Sequence, residues 1–230
     1  MPRNASAVEE NEPDGSRARP AGPGPAVPNA PRRGRGRRPA QQVRADILDA
    51  AGRLLLSEGM AGFTIERVAA IAGASKMTIY KWWPSKGALA MEGYASMVDG
   101  MLAVPDTGDI EADLTTQLLT YVHVLRDTPG GRVVAELLGE AQTDHELAVA
   151  FRRVYSGPRR AVGRAALRTA QQRGQIRPDA DPETLIDQLW GACIYRLLMG
   201  DEPLTDDFAR AVVGNALRGV LTDQPQPEAS

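Results

Sequence analysis

All three lysines of this 230-residue chain lie between residues 76 and 86, in the stretch SKMTIYKWWPSK, beside two of its three tryptophans. Lysine ammonium groups donate hydrogen bonds to phosphate oxygens and to O6 and N7 of guanine, and a methionine side chain packs against the thymine methyl group. The residue types in this stretch therefore favour contacts to double-stranded DNA over acid–base or nucleophilic chemistry.

Charge is distributed unevenly along the chain. Residues 31–86 contain eleven basic and four acidic side chains, a local net charge of +7, whereas the residues after 86 contain 13 basic and 21 acidic side chains. A basic segment joined to an acidic body predicts a polyanionic partner for the first part only. The whole-chain charge of −2 conceals this asymmetry.

The elements that position the lysines are predicted to form a helix-turn-helix. Apolar residues recur with a helical period over 41–57, which predicts a first helix. Thr64 then caps a short helix that Gly73 ends, and Ser75 caps a second short helix that Pro84 stops. In such a motif the last helix enters the major groove and presents its first turns to base edges.

On that helix Lys76, Met77, Tyr80 and Lys81 come within one turn of each other, whereas Ile79 is expected to face inward. Lys86 begins the next helix, where its charge adds to free backbone N–H groups and predicts a phosphate site, and Thr64 offers a second one. The predicted DNA-contacting residues are Thr64, Ser75, Lys76, Met77, Thr78, Tyr80, Lys81, Trp82, Lys86, Arg35, Arg37 and Arg38.

The basic run PRRGRGRRPA, residues 31–40, directly precedes the first helix. Arginines that flank glycines resemble an AT-hook, in which an extended arm lies in the narrow minor groove of A·T-rich DNA. The alternative is a solvated basic linker that adds only counterion-release affinity. Both interpretations predict contact with DNA, and the sequence leaves the choice open.

Residues 63–90, FTIERVAAIAGASKMTIYKWWPSKGALA, resemble the helix-turn-helix of the TetR/AcrR family of one-component transcriptional regulators, and the resemblance extends over about residues 41–90. It implies phosphate contacts by Thr64, Tyr80 and Lys86 and base contacts by Lys76, Met77 and Lys81. One departure is Trp82, where the family often has histidine. The matching positions are Phe63, Thr64, Ile65, Val68, Ala69, Ala72, Gly73, Tyr80, Trp83, Ser85 and Lys86.

The remainder of the chain predicts further amphipathic helices and no strand. A helix is expected from Ser85 to Leu102, and others over 110–126, 131–141, 144–173 with a bend at Pro158, 182–199 and 206–221. The fold class is therefore all-α, with a helix-turn-helix domain over 39–88 and a helical ligand-binding and dimerisation bundle over 89–221. The tails 1–38 and 222–230, rich in proline and small or polar residues, are expected to be disordered, apart from the basic arm at 31–38.

Dimerisation is predicted because one short helix reads few bases, and a two-fold partner placed one DNA turn away doubles the site. Its interface is expected on the last two helices, although the same apolar faces could belong to the core of one chain. The predicted interface residues are Leu185, Leu189, Ile194, Phe208, Val212 and Ala216.

A pocket for a small hydrophobic effector is expected between the helices of the bundle, because such sites are mostly apolar with a few polar groups. By resemblance, the effector moves the helix from Ser85 to Leu102 and changes the separation of the two DNA-reading helices. For each residue taken alone, core packing is the alternative. The predicted pocket residues are Tyr121, Val122, Leu125, Phe151, Tyr155 and Trp190.

Enzyme chemistry finds little support in the sequence. His145 opens HELAV, which begins like a zinc-protease helix, but Val149 stands where the second ligand belongs, and the other histidine is His123. Cys193 lies on an apolar helix and is expected to be a buried thiol rather than a nucleophile. No metal or cofactor is predicted.

A single cysteine and the lack of a signal-peptide pattern predict a cytoplasmic protein, and no apolar run approaches the about 18 residues of a membrane span. The favoured function is a ligand-responsive DNA-binding repressor. Two other classes stay open: an architectural protein that uses the arginine arm on A·T-rich DNA, and a helical-bundle enzyme.

Overall fold

The computed structural model describes residues 38–101 and 103–218. The predicted disorder of both tails, Arg35 and Arg37 of the arm, Leu102 and the end of the last helix all lie outside these ranges. Within them the chain is helical, without a strand. The α-helices are α1 (Ala40–Gly62), α2 (Ile65–Ala72), α3 (Lys76–Tyr80), α4 (Lys86–Val98), α5 (Ile110–Asp127), α6 (Pro129–Glu140), α7 (His145–Ala150), α8 (Gly157–Gln172), α9 (Pro182–Ile186), α10 (Ala192–Met199) and α11 (Asp206–Arg218).

The first helix contains a break at Gly59, two residues after the end of the helix predicted over 41–57. Gly59 adopts a left-handed φ of 69°, after which one further helical turn runs to Gly62. The break leaves the backbone N–H of Met60 without its helical partner, and Glu136 of α6 accepts it at 2.8 Å. A side chain of the bundle therefore holds the end of α1.

Helices α2 and α3 form the predicted helix-turn-helix, with Gly73 between them at a left-handed φ of 60°. The Thr64 and Ser75 hydroxyls cap the two helices by accepting the N–H groups of Arg67 and Thr78. The second helix is shorter than the sequence predicts, because a turn replaces the helix after Tyr80.

Helices α1 and α4 cross at two glycines. A Cβ atom added to Gly52 would lie 2.9 Å from the carbonyl oxygen of Gly93, and one added to Gly93 would lie 3.0 Å from the backbone nitrogen of Gly52. Neither position can accept a side chain without a shift of the backbone. The two helices are therefore in direct backbone contact at this crossing.

One continuous apolar core extends from Ile47 of α1 to Val213 of α11. The boundary predicted at residues 88 and 89 falls inside α4, which packs against both α1 and α7. The helix-turn-helix and bundle segments thus share the core around this helix. None of the helices in the described ranges has the length and apolarity to cross a bilayer.

The two long helices predicted for the bundle are interrupted by π-helical turns, at Phe151–Ser156 and Asp187–Gly191. At the first, Pro158 has no N–H group to donate and the N–H of Gly157 reaches back to the carbonyl oxygen of Arg152. A side chain at Gly157 would meet that same oxygen at 2.5 Å. The bend expected at Pro158 is therefore accommodated by a wider turn just before it.

Candidate nucleic-acid interface and effector cavity

The exposed face of α3 consists of the residues that the sequence assigns to DNA. Met77 is 83% exposed, an unusual position for a large apolar side chain, and Tyr80 is 52% exposed. Lys76 and Lys81 are exposed beside them. Ile79 and Trp83 are fully buried and fix this face by packing into the core.

The polar residues around α3 differ in how they are held. Lys76 donates a 2.6 Å hydrogen bond to Glu66 of α2, an exposed ion pair of the kind that contributes little to stability. The Ser75 and Thr78 hydroxyls lie 2.8 Å apart. Trp82 is half-buried edge-on against Trp83, with ring centroids 5.7 Å apart.

Both predicted phosphate sites lie at helix starts. The Thr64 hydroxyl accepts a backbone N–H at α2 and keeps its own proton for a further acceptor. Lys86 is the first residue of α4, next to its cap Ser85, which accepts the N–H of Ala88 at 3.1 Å. These positions suit phosphate, because helix N-termini present free donors and a positive dipole end.

Arg38, the only arm residue in the described ranges, contacts the protein itself. Its guanidinium donates to Asp46 at 2.7 Å and to the carbonyl oxygens of Ala72 and Gly73 at 3.2 and 2.8 Å. It therefore fastens the start of α1 to the turn of the helix-turn-helix. Sequence reasoning gave Arg38 a DNA contact and missed this bracing role.

A second network that the sequence did not predict centres on Glu92 of α4. Its carboxylate accepts the indole N–H of Trp83 at 2.7 Å and pairs with Arg44 of α1. The Arg44 guanidinium also lies 5.2 Å from the centroid of the Trp83 ring. This network joins α1, the turn after α3 and α4.

A cavity of about 320 Å³ opens among α5, α8 and the two π-helical turns, and we call it the effector cavity. Its volume lies at the lower end of the range typical of small-molecule sites. Four of the predicted pocket residues line it: Tyr121, Phe151, Tyr155 and Trp190. Val122 and Leu125 are buried in the core and do not line it.

Both π-helical turns contribute to the wall of this cavity. Phe151, Tyr155 and Ser156 come from the first turn, and Asp187, Trp190 and Gly191 come from the second. Such turns occur frequently at functional sites. The sequence did not predict these π-helical turns. The Gly157–Pro158 pair indicated a bend at the first of them, and nothing in the sequence indicated the second.

Polar side chains hold the wall in place. Trp190 donates its indole N–H to the buried amide oxygen of Gln117 at 2.9 Å. Arg160 is paired at 2.6 Å with both Asp187 and Glu183. The wall is therefore mostly apolar, and ion pairs between helices hold its charged side chains in fixed positions.

One side chain, that of Tyr155, connects the effector cavity to α4. The rings of Tyr155 and Tyr94 pack with centroids 5.5 Å apart, and Tyr94 is fully buried on α4. Because Glu92 lies two residues earlier on α4, this helix connects the cavity wall to Trp83.

The residues predicted for a dimer interface are divided between the core and the surface. Leu185 and Leu189 are buried within the chain's own core, and Ile194 lines the effector cavity. Phe208, Val212 and Ala216 are half-buried on α11, and the Arg196 guanidinium covers the Phe208 ring at 3.7 Å. The exposed apolar residues of α10 are Tyr195, Leu198 and Met199.

No group of three or more potential metal ligands occurs within residues 38–101 and 103–218. Cys193 is buried, its thiol directed to the carbonyl oxygen of Leu189, and burial raises the pKa of this thiol to about 12. The thiol is therefore protonated at neutral pH, which is unsuited to a nucleophile.

Two protein-family models match the chain. Residues 47–92 match "Bacterial regulatory proteins, tetR family", and residues 104–216 match "Tetracyclin repressor-like, C-terminal domain". The HTH-type transcriptional regulator YdeS of Bacillus subtilis is 37% identical over 81% of this chain and 93% of its own. The DNA-binding transcriptional repressor TetR of Mycobacteroides abscessus is 30% identical over 75% and 90%.

Solved structures show the same architecture. The TetR family transcription regulator SCO0332 is 56% identical, with a TM-score of 0.75 over 79% of this chain and all of that one. FadR from Bacillus subtilis, solved with stearoyl-CoA, shares the fold alone, at 15% identity and a TM-score of 0.59 over 77% of this chain and all of its own.

Proposed function

The chain belongs to the TetR family of transcriptional regulators, and on that premise we propose that it is a cytoplasmic repressor that binds a palindromic operator as a homodimer and is released by a small hydrophobic effector. Proteins of this family are DNA-binding transcription factors and not enzymes. The observation that supports the finer proposal best is that α4 has contacts in both directions. Its Tyr94 packs against Tyr155 of the cavity wall, and its Glu92 bonds Trp83 in the turn that follows α3, the reading helix.

DNA binding rests on the exposed face of α3. Met77, Tyr80 and Lys81 project from a helix that buried Ile79 and Trp83 hold in the core. Base contacts by these residues specify sequence, whereas Thr64 and Lys86 at the neighbouring helix starts fix the register on phosphates. Repression is supported by the Mycobacteroides relative, which is a transcriptional repressor.

Homodimerisation uses the apolar surface of α10. Tyr195, Leu198 and Met199 are each between 45% and 62% exposed, and they lie within two turns of one helix. A contiguous apolar surface of this kind marks an interaction site. A two-fold partner on this surface supplies the second α3 that a palindromic operator requires.

Release follows if the effector binds more tightly to the conformation that cannot hold the operator. A molecule in the effector cavity presses on Tyr155, whose ring contacts Tyr94 of α4. Movement of α4 then acts on Trp83 through Glu92 and displaces the reading helix.

The test is footprinting on genomic fragments, with light scattering of the same protein. The proposal predicts a dimer that protects a discrete two-fold site. Hydrophobic compounds identified by thermal shift should release the protein from this site. A diffuse footprint on A·T-rich DNA without a palindrome would instead support the architectural function of the arm. A monomer that binds no DNA would contradict both.

A further inference from the structure

Arg159 in the wall of the effector cavity is a half-buried cation without a carboxylate partner among the described residues. Its Nη1 atom donates to the carbonyl oxygen of Tyr155 at 3.0 Å, and its guanidinium lies 4.0 Å from the centroid of the Tyr155 ring. The Nε and Nη2 atoms are both buried and find no acceptor among the described residues. Two of the donor groups of Arg159 are thus unused.

An arginine in this position costs free energy of folding. An arginine side chain carries a positive charge, and withdrawing its donor groups from water is unfavourable unless an opposite charge or full hydrogen bonding compensates it. Stacking on Tyr155 and one carbonyl supply only part of that compensation. A neutral acceptor such as water satisfies the donors but leaves the charge unbalanced.

The neighbouring arginines show how this chain otherwise treats such charges. Arg160, also in the cavity wall, is paired with Asp187 and Glu183, and Arg164 pairs with Glu183 as well. Two carboxylates thus balance these two guanidinium groups. Among the described residues, Arg159 is left as the uncompensated charge of the cavity wall.

Two phenols next to Arg159 are also unsatisfied. The hydroxyls of Tyr155 and Tyr94 are buried and have no partner among the described residues. Burial raises the pKa of both tyrosines, so they stay protonated and provide donors rather than negative charge. The group that this corner of the cavity lacks is an acceptor with a negative charge.

The rest of the cavity wall indicates the body of the ligand. Tyr121, Phe151, Tyr155 and Trp190 are four of the eleven aromatic side chains of the chain, and they surround one cavity of about 320 Å³. Aromatic rings favour offset-stacked or edge-to-face contact with other rings. This lining suits a flat aromatic molecule.

We propose that the effector cavity binds an aromatic carboxylic acid, whose carboxylate pairs with Arg159 and whose ring system lies among Tyr121, Phe151 and Trp190. A rotation of the Arg159 side chain turns its two unused donors toward the ligand, where they bind both carboxylate oxygens. The inference rests on the proposed function, because it names the chemical class of the effector.

The test compares 2-naphthoate with 2-naphthamide, which has nearly the same shape and no charge, by calorimetric titration of the full-length protein at pH 7.5. Wild-type protein is expected to bind the acid at least about 10-fold more tightly than the amide, because only the acid offers a charge-assisted hydrogen bond. The Arg159→Met variant is expected to lose this preference and to keep its affinity for the amide.

Arg153→Met is the matched control, because Arg153 lies in the π-helical turn just before α8, which contains Arg159, but is exposed and does not line the cavity. It removes the same charge and is expected to bind both compounds as wild type does. If Arg159→Met does not fold, as judged by circular dichroism, Arg159→Lys and Arg159→Gln replace it. The lysine variant should then keep part of the preference and the glutamine variant none.

Three results would overturn the inference: equal binding of acid and amide by wild type, an acid preference that survives in Arg159→Met or Arg159→Gln, and no binding of either compound. The proposed function is judged separately, by footprinting and light scattering. The protein could prove to be a dimeric repressor that neutral hydrophobic compounds release from its operator and that does not bind 2-naphthoate. That result would support the proposed function and contradict an aromatic acid as the effector.

Discussion

The indole N–H of Trp83 donates a 2.7 Å hydrogen bond to the Glu92 carboxylate, and this bond ties the turn after α3 to α4. Trp83 is fully buried, so its N–H has no access to water. Arg44 completes the group by pairing with the same carboxylate. One acidic side chain thus fixes the position of the reading helix against two other helices.

Replacing this carboxylate is expected to damage both stability and operator binding. Glu92→Ala leaves the Trp83 N–H buried without a partner, a loss of about 1–3 kcal/mol in the free energy of unfolding. Urea unfolding measures this loss, and a gel-shift titration should show weaker operator binding. The exposed Glu202→Ala is the control. Equal stability of the two variants would show that the network contributes nothing.

Lys86 and Lys81 are expected to differ in the kind of DNA contact that they make. Lys86→Ala should weaken binding to all sequences alike and reduce the salt slope of log K by roughly one, because a phosphate contact holds no sequence information. Lys81→Ala should cost on the order of 1–3 kcal/mol at particular base pairs. Titrations on operator and random DNA at several salt concentrations measure both effects.

The assignments would be reversed by a change of base preference in Lys86→Ala with an unaltered salt slope. For Lys81, an equal loss on operator and random DNA would place the side chain on the backbone. Both variants should unfold at the wild-type urea concentration, since Lys81 is exposed and Lys86 only half-buried.

The arginine arm and Arg38 are predicted to act differently. Deleting residues 1–30 should leave affinity unchanged, whereas deleting 1–37 removes four more arginines and should reduce affinity strongly at low salt. Entry into the minor groove predicts a larger loss on A·T-rich flanks, and equal losses on G·C-rich flanks would leave only the linker interpretation.

Arg38→Ala should instead lower stability, because Arg38 braces the turn at Gly73.

The apolar surface of α10 is predicted to be the dimer interface. Leu198 is 45% exposed in the single chain, so Leu198→Glu should leave the fold intact but place a charge in the interface of both subunits. Light scattering should then show monomers, and operator binding should fall far more than non-specific binding. Val149→Glu, at a similarly exposed position on α7, is the control. A dimeric Leu198→Glu protein would place the interface elsewhere.

Cys193 is expected to be inert in the native protein. Its thiol is fully buried and its pKa is raised to about 12, so both access and thiolate are lacking at pH 8. Ellman's reagent should release no colour from native protein within minutes and one equivalent after unfolding in urea. Rapid modification of the native protein would mean that the bundle opens around α10.

The local elements were predictable because their signals are local. Thr64, Ser75 and Ser85 are helix caps in the structure, and Gly73 takes the left-handed φ expected at the turn. The all-helical fold and the family were likewise predictable from the motif, and both are confirmed. Side chains and backbone within a few residues of each other determine such features.

The cavity and the bracing contacts were less predictable because they depend on packing between distant segments. Four aromatic positions were identified as lining, but Arg159 and Gln117 were not, since nothing in their own neighbourhood distinguishes them from surface residues. Glu92 and Arg38 likewise acquire their roles from partners on other helices. Leu185 and Leu189 were assigned to an interface because the last two helices have broad apolar faces, yet both are buried within the chain.

The crossing of α1 and α4 at Gly52 and Gly93 determines how a force on α4 spreads. Where helices meet through long side chains, rotamer changes absorb small displacements. At this crossing the backbones are in direct contact, and the two glycines have no side chains that could change rotamer. We therefore expect α4 to tilt about this crossing, rather than slide past α1, when a ligand displaces Tyr94, the residue next to Gly93.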